Sequence, residues 1–499
     1  MTDTTQSLPP TPPRPQGQPE PDSTHETRLI TTPVRSLIKR APVQLAPSAT
    51  IQQAAQLMQQ HRVSSVLLVE GGQLMGVVTD RDLRNRVVAR ALSVSRPVGD
   101  IATPNPYTID VSSPALDALL LMARHQIHHV PVVDGSTVMG MISATDVTEQ
   151  HNHSAVVLAG AIRKQTTLEG LVACAAQVKR LQRSLAAADA SAYHTGRIVT
   201  AMTDALTVRL LELAEGELGP PPVPYAWLAA GSQARNEQTA KSDQDNCLLL
   251  DDAYDAALHG DYFQALAKQV CDGLDACGYI HCPGEMMAMT DAWRQPLRQW
   301  KAYFEQWIRN PKPQALMLTC VFFDQRRVYG SQPLFDELRA EVLRLAKDQR
   351  IFLAYMVSIA LTHKPPLNFM NRIAPLRSGD HKGKLDLKMG GIVPIVDLAR
   401  VYALAGGLSA VNTYDRLQGA AASGEISEQS ARDLREALEY LAGLRIRHQA
   451  QRMDDGYAAD NFLRSEDLSN FERGHLRAAF KVVRALQEVL ETRYQPGRL

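Results

Sequence analysis

Two carboxylates at a short spacing are the residues of this chain best suited to metal-dependent chemistry. Asp243 and Asp245 stand just before the apolar run 247–250. Alternate residues of an extended chain point to the same face, so the two side chains should lie together. Two carboxylates on one face predict a site for a hard cation, Mg²⁺ or Mn²⁺, which can bridge the oxygens of a triphosphate.

A glycine–serine pair precedes the two aspartates. Gly231 and Ser232 follow the apolar run 226–230, and ten residues separate Ser232 from Asp243. Glycine lets the backbone approach a phosphate closely, and the serine hydroxyl can donate a hydrogen bond to it. Both residues are therefore candidates for nucleotide binding.

Further charged side chains could complete this site. Asp324 ends the β-rich run 318–323 and is the best candidate for a third catalytic carboxylate and metal ligand. Arg235 and Lys241 lie between the glycine–serine pair and the aspartates, where either could neutralise triphosphate charge. A solvated helix face explains these two cations equally well, so both interpretations stay open.

An internal repeat lies in the N-terminal third of the chain. A shift of 64 residues aligns residues 76–82 with residues 140–146 and requires no gap. Each copy has the pattern of a helix, a strand, a turn, a second strand and a second helix. The hydroxyl and the acid of the repeated motif could hold the ribose of a nucleoside, or could simply cap the helix that follows. These residues are Thr79, Asp82, Ser143 and Asp146.

The repeat resembles a tandem pair of CBS domains, over residues 34–92 and 98–150. The resemblance implies a βαββα fold for each copy and an adenine nucleotide, AMP or ATP, as a regulatory ligand of the four motif residues. It also implies a homodimer, because CBS pairs often associate back to back. Some CBS pairs serve only as structural dimerisation units, which is the alternative for this one.

The stretch 231–246 resembles the DNA polymerase β-type nucleotidyltransferase superfamily. More narrowly, it resembles the DUF294 nucleotidyltransferase family, which accompanies CBS pairs in bacteria and is similar to the uridylyl- and adenylyltransferases of nitrogen control. The resemblance extends over most of residues 34–490, through the stretches 283–288, 323–330, 381–388 and 394–400. It implies an NTP substrate and a C-terminal helical domain that selects the acceptor. The cyclic-nucleotide-binding domain that the family commonly carries is replaced here by a proline-rich segment.

The sequence therefore predicts a multidomain α/β protein, in which a tandem CBS module and a polymerase β-like nucleotidyltransferase domain precede an α-helical C-terminal domain. In the helical part, the stretch 386–392 could reach a nucleotide at the domain border, although a helix-capping turn explains it as well. The expected divisions are a disordered proline-rich tail, the CBS pair, a helical connector, the nucleotidyltransferase domain and the helical domain, at residues 1–32, 34–150, 155–218, 222–332 and 334–495.

Composition narrows the classes of partner. The 53 basic and 53 acidic residues balance, which argues against a protein whose main partner is nucleic acid or an anionic membrane. No apolar run approaches the roughly 18 residues that span a bilayer. The six cysteines form no C-x-x-C pair, and the start of the chain does not resemble a secretory signal, so a cytoplasmic location is expected.

The favoured hypothesis is a Mg²⁺-dependent enzyme of bacterial signal transduction that moves a nucleoside monophosphate from an NTP to an acceptor, expected to be a protein. An adenine nucleotide on the CBS pair would regulate it. The main alternative is a non-catalytic nucleotide sensor with a degenerate nucleotidyltransferase domain. A polymerase-like enzyme acting on RNA ends is disfavoured by the neutral charge and by the lack of an aromatic–basic stripe.

Overall fold

The structure is a computed structural model that describes residues 33–61, 63–125, 127–143, 154–312, 315–316, 320–347 and 349–495. The predicted tail, residues 1–32, and the CBS candidate Asp146 lie outside the described residues. Within the described residues, no helix combines the length and the apolar character needed to cross a membrane.

The N-terminal repeat forms two small sheets. The first sheet is ordered β1–β2–β3–β4 and takes β4 from the start of the second copy, and the second sheet is ordered β5–β6–β7. A helix precedes the central hairpin of each copy, as the repeat pattern predicts, and Gly71 and Gly72 supply the left-handed turn of the first hairpin. The elements are β1 Gln44–Leu45, α1 Ile51–His61, β2 Ser65–Glu70, β3 Gln73–Thr79, β4 Thr103–Pro104, β5 Ile109–Asp110, α2 Ala115–His125, β6 His129–Asp134 and β7 Thr137–Ser143.

Three helices follow the repeat: α3 Ser154–Lys164, α4 Leu168–Ala187 and α5 Ala192–Leu218. Thr167 and Ser191 cap α4 and α5, because each side chain accepts a hydrogen bond from a backbone N–H of the first turn. Helix α5 ends at Gly219, whose φ of 87° is left-handed, and the prolines that follow prevent further helix.

A four-stranded sheet, ordered β10–β9–β8–β11, lies at the centre of the chain. Its elements are β8 Tyr225–Ala230, α6 Gly231–Ala234, β9 Asn246–Leu250, α7 Ala256–Ala276, β10 Arg294–Pro296, α8 Leu297–Arg309 and β11 Gln325–Gly330. Strand β8 pairs antiparallel with β9 and with β11, whereas β10 runs parallel to β9. All residues of β8 and β9 are buried, which explains why both strands read as continuous apolar runs rather than alternating ones.

The two faces of this sheet belong to two different cores. Ala226 and Leu228 pack in one core with the C-terminal helices, whereas Trp227 packs in the other with α5, α7 and residues of the second CBS copy. In β9, Leu249 likewise packs in the first of these cores and Leu248 in the second. The period-2 alternation of a strand therefore places the sheet between the N-terminal repeat and the helical domain.

The C-terminal region is mainly helical and contains one two-stranded ribbon. It consists of α9 Gln332–Ala346, α10 Arg350–Ala360, β12 Lys384–Asp386, α11 Val393–Ala405, α12 Thr413–Ala422, α13 Glu428–Asp454, β13 Phe462–Arg464 and α14 Asn470–Tyr494. Proline near the start of α11 suits a first turn that needs no N–H donor. The mixed α/β architecture with a helical C-terminal part, predicted from the sequence, is confirmed.

Candidate active site

The glycine–serine pair and the aspartate pair meet at the end of β8. Gly231 begins α6 with a left-handed φ of 54°. A Cβ atom on this residue would lie 2.5 Å from Oδ2 of Asp245 and 3.1 Å from Cγ2 of Val321. The N–H of Ala230 donates to the carbonyl of Asp245 at 2.8 Å. Only glycine allows the Asp245 carboxylate to approach the backbone this closely.

Asp243 and Asp245 lie on the same side of an extended segment that leads into β9. Both are half-buried, whereas Ser242 and Gln244, which alternate with them, are buried. The Gln244 amide donates to the carbonyls of Cys271 and Tyr279, at 2.9 and 3.0 Å. Because the alternate residue is anchored inward, the two carboxylates face the opposite way, towards the end of β8.

The surroundings of Asp245 disfavour its charge. Burial is the largest cause and the neighbouring charge of Asp243 the next, and together they raise the pKa of Asp245 to about 6. A hydrogen bond from the Cys282 thiol and the charges of Lys388 and Arg235 act in the opposite direction. Oxygen ligands that repel one another in a half-buried place fit a hard divalent cation, which would relieve the repulsion.

The structure does not assemble the three-carboxylate cluster expected from the sequence. Among the described residues, no group of three or more His, Cys, Asp or Glu side chains is placed to hold a metal ion. In this structure the candidate metal site therefore consists of Asp243 and Asp245. Asp324, the expected third ligand, is fully buried and engaged elsewhere.

Asp324 is the centre of an arginine cluster, which we define as Asp324 with Arg235, Arg400 and Arg416. Arg235 donates to Oδ2 of Asp324 at 2.6 Å, and Arg416 donates to Oδ1 at 2.6 Å. Arg400 contacts both oxygens, at 3.0 and 2.7 Å. Burial alone would raise the pKa of Asp324, but the three guanidinium charges outweigh it and hold this pKa well below its usual range. Both carboxylate oxygens are thus occupied, and a metal role for Asp324 would require the guanidinium groups to withdraw.

The two cations proposed for phosphate binding differ in their placement. Arg235 is largely buried and divides its donors between Asp324 and Glu237. Lys241 is exposed, and its carbonyl accepts a hydrogen bond from Arg445 at 3.4 Å. Phosphate binding by either residue stays a prediction, with Arg235 the better placed because it lines the cavity beside Ser232.

A cavity of about 60 Å³ separates the Ser232 segment from the C-terminal helices. Ser232 and Ser242 line one side, and Lys388 and Arg445 line the other. Burial lowers the pKa of Arg445 to about 10, although the nearby carboxylates of Asp386 and Asp243 act in the opposite direction. The helical domain thus brings two cations to the edge of the candidate site.

The stretch 386–392, which contains Lys388, was a candidate from the sequence for reaching the site, whereas Arg445 was not. A signal was present, because Arg445 stands four residues after Leu441 on helix α13 and so lies on its buried stripe. A charged residue on such a stripe requires a polar partner. Here the guanidinium donates to Asn461 at 2.8 Å.

The CBS candidates in the first copy form a helix cap. The N–H of Asp82 donates to the Thr79 hydroxyl oxygen at 3.3 Å, and the N–H and hydroxyl of Thr79 donate to the Asp82 carboxylate at 3.0 and 2.7 Å. This reciprocal arrangement is a capping box. In the second copy Ser143 ends β7 opposite His129. The capping role is therefore present in the first copy, and a ligand role for these residues stays a prediction.

Thr79→Ala should destabilise the N-terminal repeat by about 1 kcal/mol, because an N-cap oxygen is lost. Thermal unfolding of the full chain, followed by differential scanning calorimetry, measures the change. Ser95→Ala is the matched control, since this hydroxyl is exposed and its partner within the described part of the chain is the hydroxyl of Ser93. Equal midpoints for the two variants would show that the cap contributes no stability.

Comparisons with known proteins divide the chain into recognised parts. Residues 176–314 match the family described as "Putative nucleotidyltransferase DUF294", and residues 350–494 match "Putative nucleotidyltransferase substrate binding domain". Residues 34–89 and 98–152 each match "CBS domain". The nucleotidyltransferase match begins within α4, which the sequence had placed in a separate connector.

Individual relatives match shorter stretches. The CBS domain-containing protein YhcV of Bacillus subtilis is 36% identical over 113 residues, which are 22% of this chain and 81% of that protein. Inosine-5'-monophosphate dehydrogenase of Korarchaeum cryptofilum is 33% identical over 119 residues, and the chain spans only 24% of its length. A solved CBS domain protein from Pyrobaculum aerophilum, complexed with AMP, is 32% identical and covers 25% of this chain and 95% of its own, with a TM-score of 0.23.

Proposed function

We propose that this chain transfers a nucleoside monophosphate from an NTP to an acceptor. The chain belongs to the family that joins a CBS domain pair to the DUF294 nucleotidyltransferase and its substrate-binding domain. The observation that carries the proposal is the contact between Gly231 and the Asp245 carboxylate, with Asp243 on the same face. A backbone that approaches closely and a pair of hard oxygen ligands are what a triphosphate and its cation need.

Asp243 and Asp245 are the residues that would hold the divalent cation, Mg²⁺ or Mn²⁺. When bound, such an ion supplies positive charge to the triphosphate oxygens and to the leaving pyrophosphate. The donor set fits this role, because burial and then the charge of Asp243 raise the pKa of Asp245, and a cation between the two carboxylates would offset both effects.

The remaining residues of the site suit binding and orientation. The hydroxyl of Ser232 can donate to a phosphate oxygen, and Lys388 and Arg445 on the opposite side of the cavity can offset phosphate charge. Both cations come from the part of the chain that matches the substrate-binding domain. The helical domain would therefore help to position the NTP as well as select the acceptor, for which we propose a protein.

The CBS pair would supply regulation. Thr79 and Asp82 are only half-buried, so a nucleoside could reach the polar atoms that their mutual hydrogen bonds leave unused. We propose an adenine nucleotide, AMP or ATP, as the ligand and a homodimer through the CBS pair as the assembly.

Transfer of label from each of four α-labelled NTPs, with Mg²⁺ and an extract of the source cells, tests the activity. Asp243→Asn and Asp245→Asn should each lower the rate of transfer by about 100-fold or more. The bound metal lowers the activation barrier by several kcal/mol, and loss of a ligand removes part of that effect. Asp261→Asn, an exposed position on α7, is the matched control and should keep the wild-type rate.

Two outcomes would contradict the proposal. The first is transfer by the Asp243 and Asp245 variants at the rate of the control. The second is binding of an NTP by the wild type without transfer of any of the four labels. The second outcome favours the non-catalytic sensor, an alternative that the occupied oxygens of Asp324 already motivate.

A further inference from the structure

A second cavity, of about 540 Å³, lies between the second CBS copy and the central sheet. Its walls come from the end of α2, from α3 and α5, and from β11. The described CBS candidates Thr79, Asp82 and Ser143 do not line it, and neither does the Asp243–Asp245 pair. The residues that line the cavity thus differ from the described residues of both sites proposed above.

The charge on the walls is strongly positive. Five arginines face two carboxylates: Arg124, Arg163, Arg209, Arg326 and Arg327 against Asp204 and Glu212. Asp204 pairs with Arg326 at 2.9 Å and with Arg124 at 3.6 Å, and Glu212 pairs with Arg209 at 2.6 Å. The carboxylates are thus already engaged, and three positive charges remain in excess.

Two of these arginines have no carboxylate partner in the part of the chain that the structure describes. Arg327 donates only to neutral groups, the side-chain oxygen of Gln332 and the carbonyl of Gly330. Arg163 is exposed on α3 and makes no described ion pair. Guanidinium groups that lie in a cavity and have no carboxylate partner of their own form a binding site for an anion, in particular for phosphate.

Two histidines on the cavity wall are affected by burial and, to a smaller extent, by the nearby arginines. Burial is the first cause that lowers the pKa of His125, to about 4, and the charges of Arg124 and Arg327 follow. The pKa of His128 is lowered by burial and then by the charges of Arg163 and Arg81. Both histidines are thus neutral near pH 7 and leave the arginines as the cations of the cavity.

Part of the cavity lining is apolar. It includes Met122 and Ile127 of the CBS copy, Val208 of α5 and Tyr329 of β11. A volume of this size accommodates a small molecule, since ligand sites typically enclose about 300–1,000 Å³. The lining would therefore suit a molecule that carries both anionic groups and an apolar ring.

We propose that this cavity binds a small phosphate-bearing molecule with a planar ring, of the size of a nucleotide. Arg163 and Arg327 would contact the phosphate, and the apolar wall with Tyr329 would receive the ring. This inference does not depend on the proposed transfer reaction.

A ligand in this cavity would act on the candidate active site indirectly, because two arginines of the cavity hold the segment that follows Ser232. Arg326 donates to the carbonyls of Gln233 and Ala234, at 2.9 and 3.3 Å, and Arg124 donates to the side-chain oxygen of Asn236 at 3.0 Å. These acceptors directly follow Ser232. A phosphate that attracts either guanidinium competes with the hydrogen bonds that hold the Ser232 segment, so occupancy of the cavity should change the geometry of that segment.

Calorimetric titration of the full chain with AMP, ATP and pyrophosphate, each alone, tests the proposal. Asp82→Asn is used as the background for all titrations, so that binding at the CBS motif is weakened while a capping residue is kept. We expect at least one probe to bind with an affinity that falls as salt rises. The double variant Arg163→Gln/Arg327→Gln should weaken this binding about tenfold or more.

The matched control is Arg90→Gln/Arg180→Gln, which removes two exposed arginines outside the cavity and should bind like the background protein. Tighter binding of the nucleotides than of pyrophosphate would support the ring pocket as well as the phosphate contact. Equal affinities for the two double variants, or no binding of any probe in the Asp82→Asn background, would overturn the proposal. Circular dichroism of each variant shows that it is folded.

Discussion

Asp324→Asn is expected to lower the free energy of unfolding of the central sheet and the C-terminal helices by about 3–5 kcal/mol, the cost of removing one partner from a buried ion pair. The substitution leaves three guanidinium groups together in a buried place. Arg235 keeps Glu237 and Arg400 keeps Asp397 as carboxylate partners. Arg416, which is 1% exposed, keeps two backbone carbonyls and no carboxylate among the described residues. Its charge is therefore the least compensated.

Guanidinium chloride unfolding, followed by tryptophan fluorescence, measures this effect, because Trp227 and Trp300 are buried on the two faces of the sheet. Asp336→Asn is the matched control: the residue is an exposed aspartate of α9 whose contact is the side chain of Gln332. It should change stability by less than about 0.5 kcal/mol. Coinciding unfolding midpoints for the two variants would show that the arginine cluster does not hold the domains together.

The Asp324 carboxylate also determines part of the loss of folding stability at acidic pH. The pKa of Asp324 in the folded chain lies below its unfolded value of about 4. Its stabilisation is therefore complete above about pH 5 and is lost progressively as the pH falls from the unfolded pKa towards the folded one. The difference in stability between the wild type and Asp324→Asn should be constant from pH 8 to about pH 5 and should narrow at lower pH.

The fold was largely accessible from the sequence because its signals are local. The repeat showed itself through identical spacing of its strands and turns, and the apolar runs of β8 and β9 are long enough to identify buried strands. What the runs did not show is that alternate residues serve two cores. That division depends on helices far away in the chain, such as α11 and α13, which no local pattern links to the sheet.

In the candidate site, too, contacts between residues close in sequence were predictable and contacts between distant residues were not. Gly231 and Asp245 lie close in sequence, and the structure places them in contact. The surroundings of Asp324 come from Arg400 and Arg416, which are 76 and 92 residues away. A signal was available, since Asp397 and Arg400 interrupt the otherwise apolar helix α11 and buried charges need partners. The spacing within that helix pairs Arg400 with Asp397, but it does not identify Asp324 as the second partner.

Gly231→Ala should lower nucleotidyl transfer by about 100-fold while the chain stays folded. The left-handed φ of 54° costs an alanine roughly 1–2 kcal/mol. The added methyl group would also lie 2.5 Å from Oδ2 of Asp245, a distance at which the carboxylate or the backbone has to move. A displacement of about 1 Å in a group that positions substrate is enough for a loss of this size.

Gly216→Ala is the matched control, because this glycine lies within helix α5 and a Cβ atom on it would meet nothing within 4 Å. It should keep the wild-type rate and gain a few tenths to about 1 kcal/mol of stability, as alanine favours a helix. Mn²⁺ binding, followed by the electron paramagnetic resonance of the free ion, gives a second readout that needs no acceptor. It should weaken in Gly231→Ala and stay unchanged in Gly216→Ala, since only the former displaces Asp245. Wild-type transfer and Mn²⁺ affinity in Gly231→Ala would mean that the contact between Gly231 and Asp245 does not shape the site.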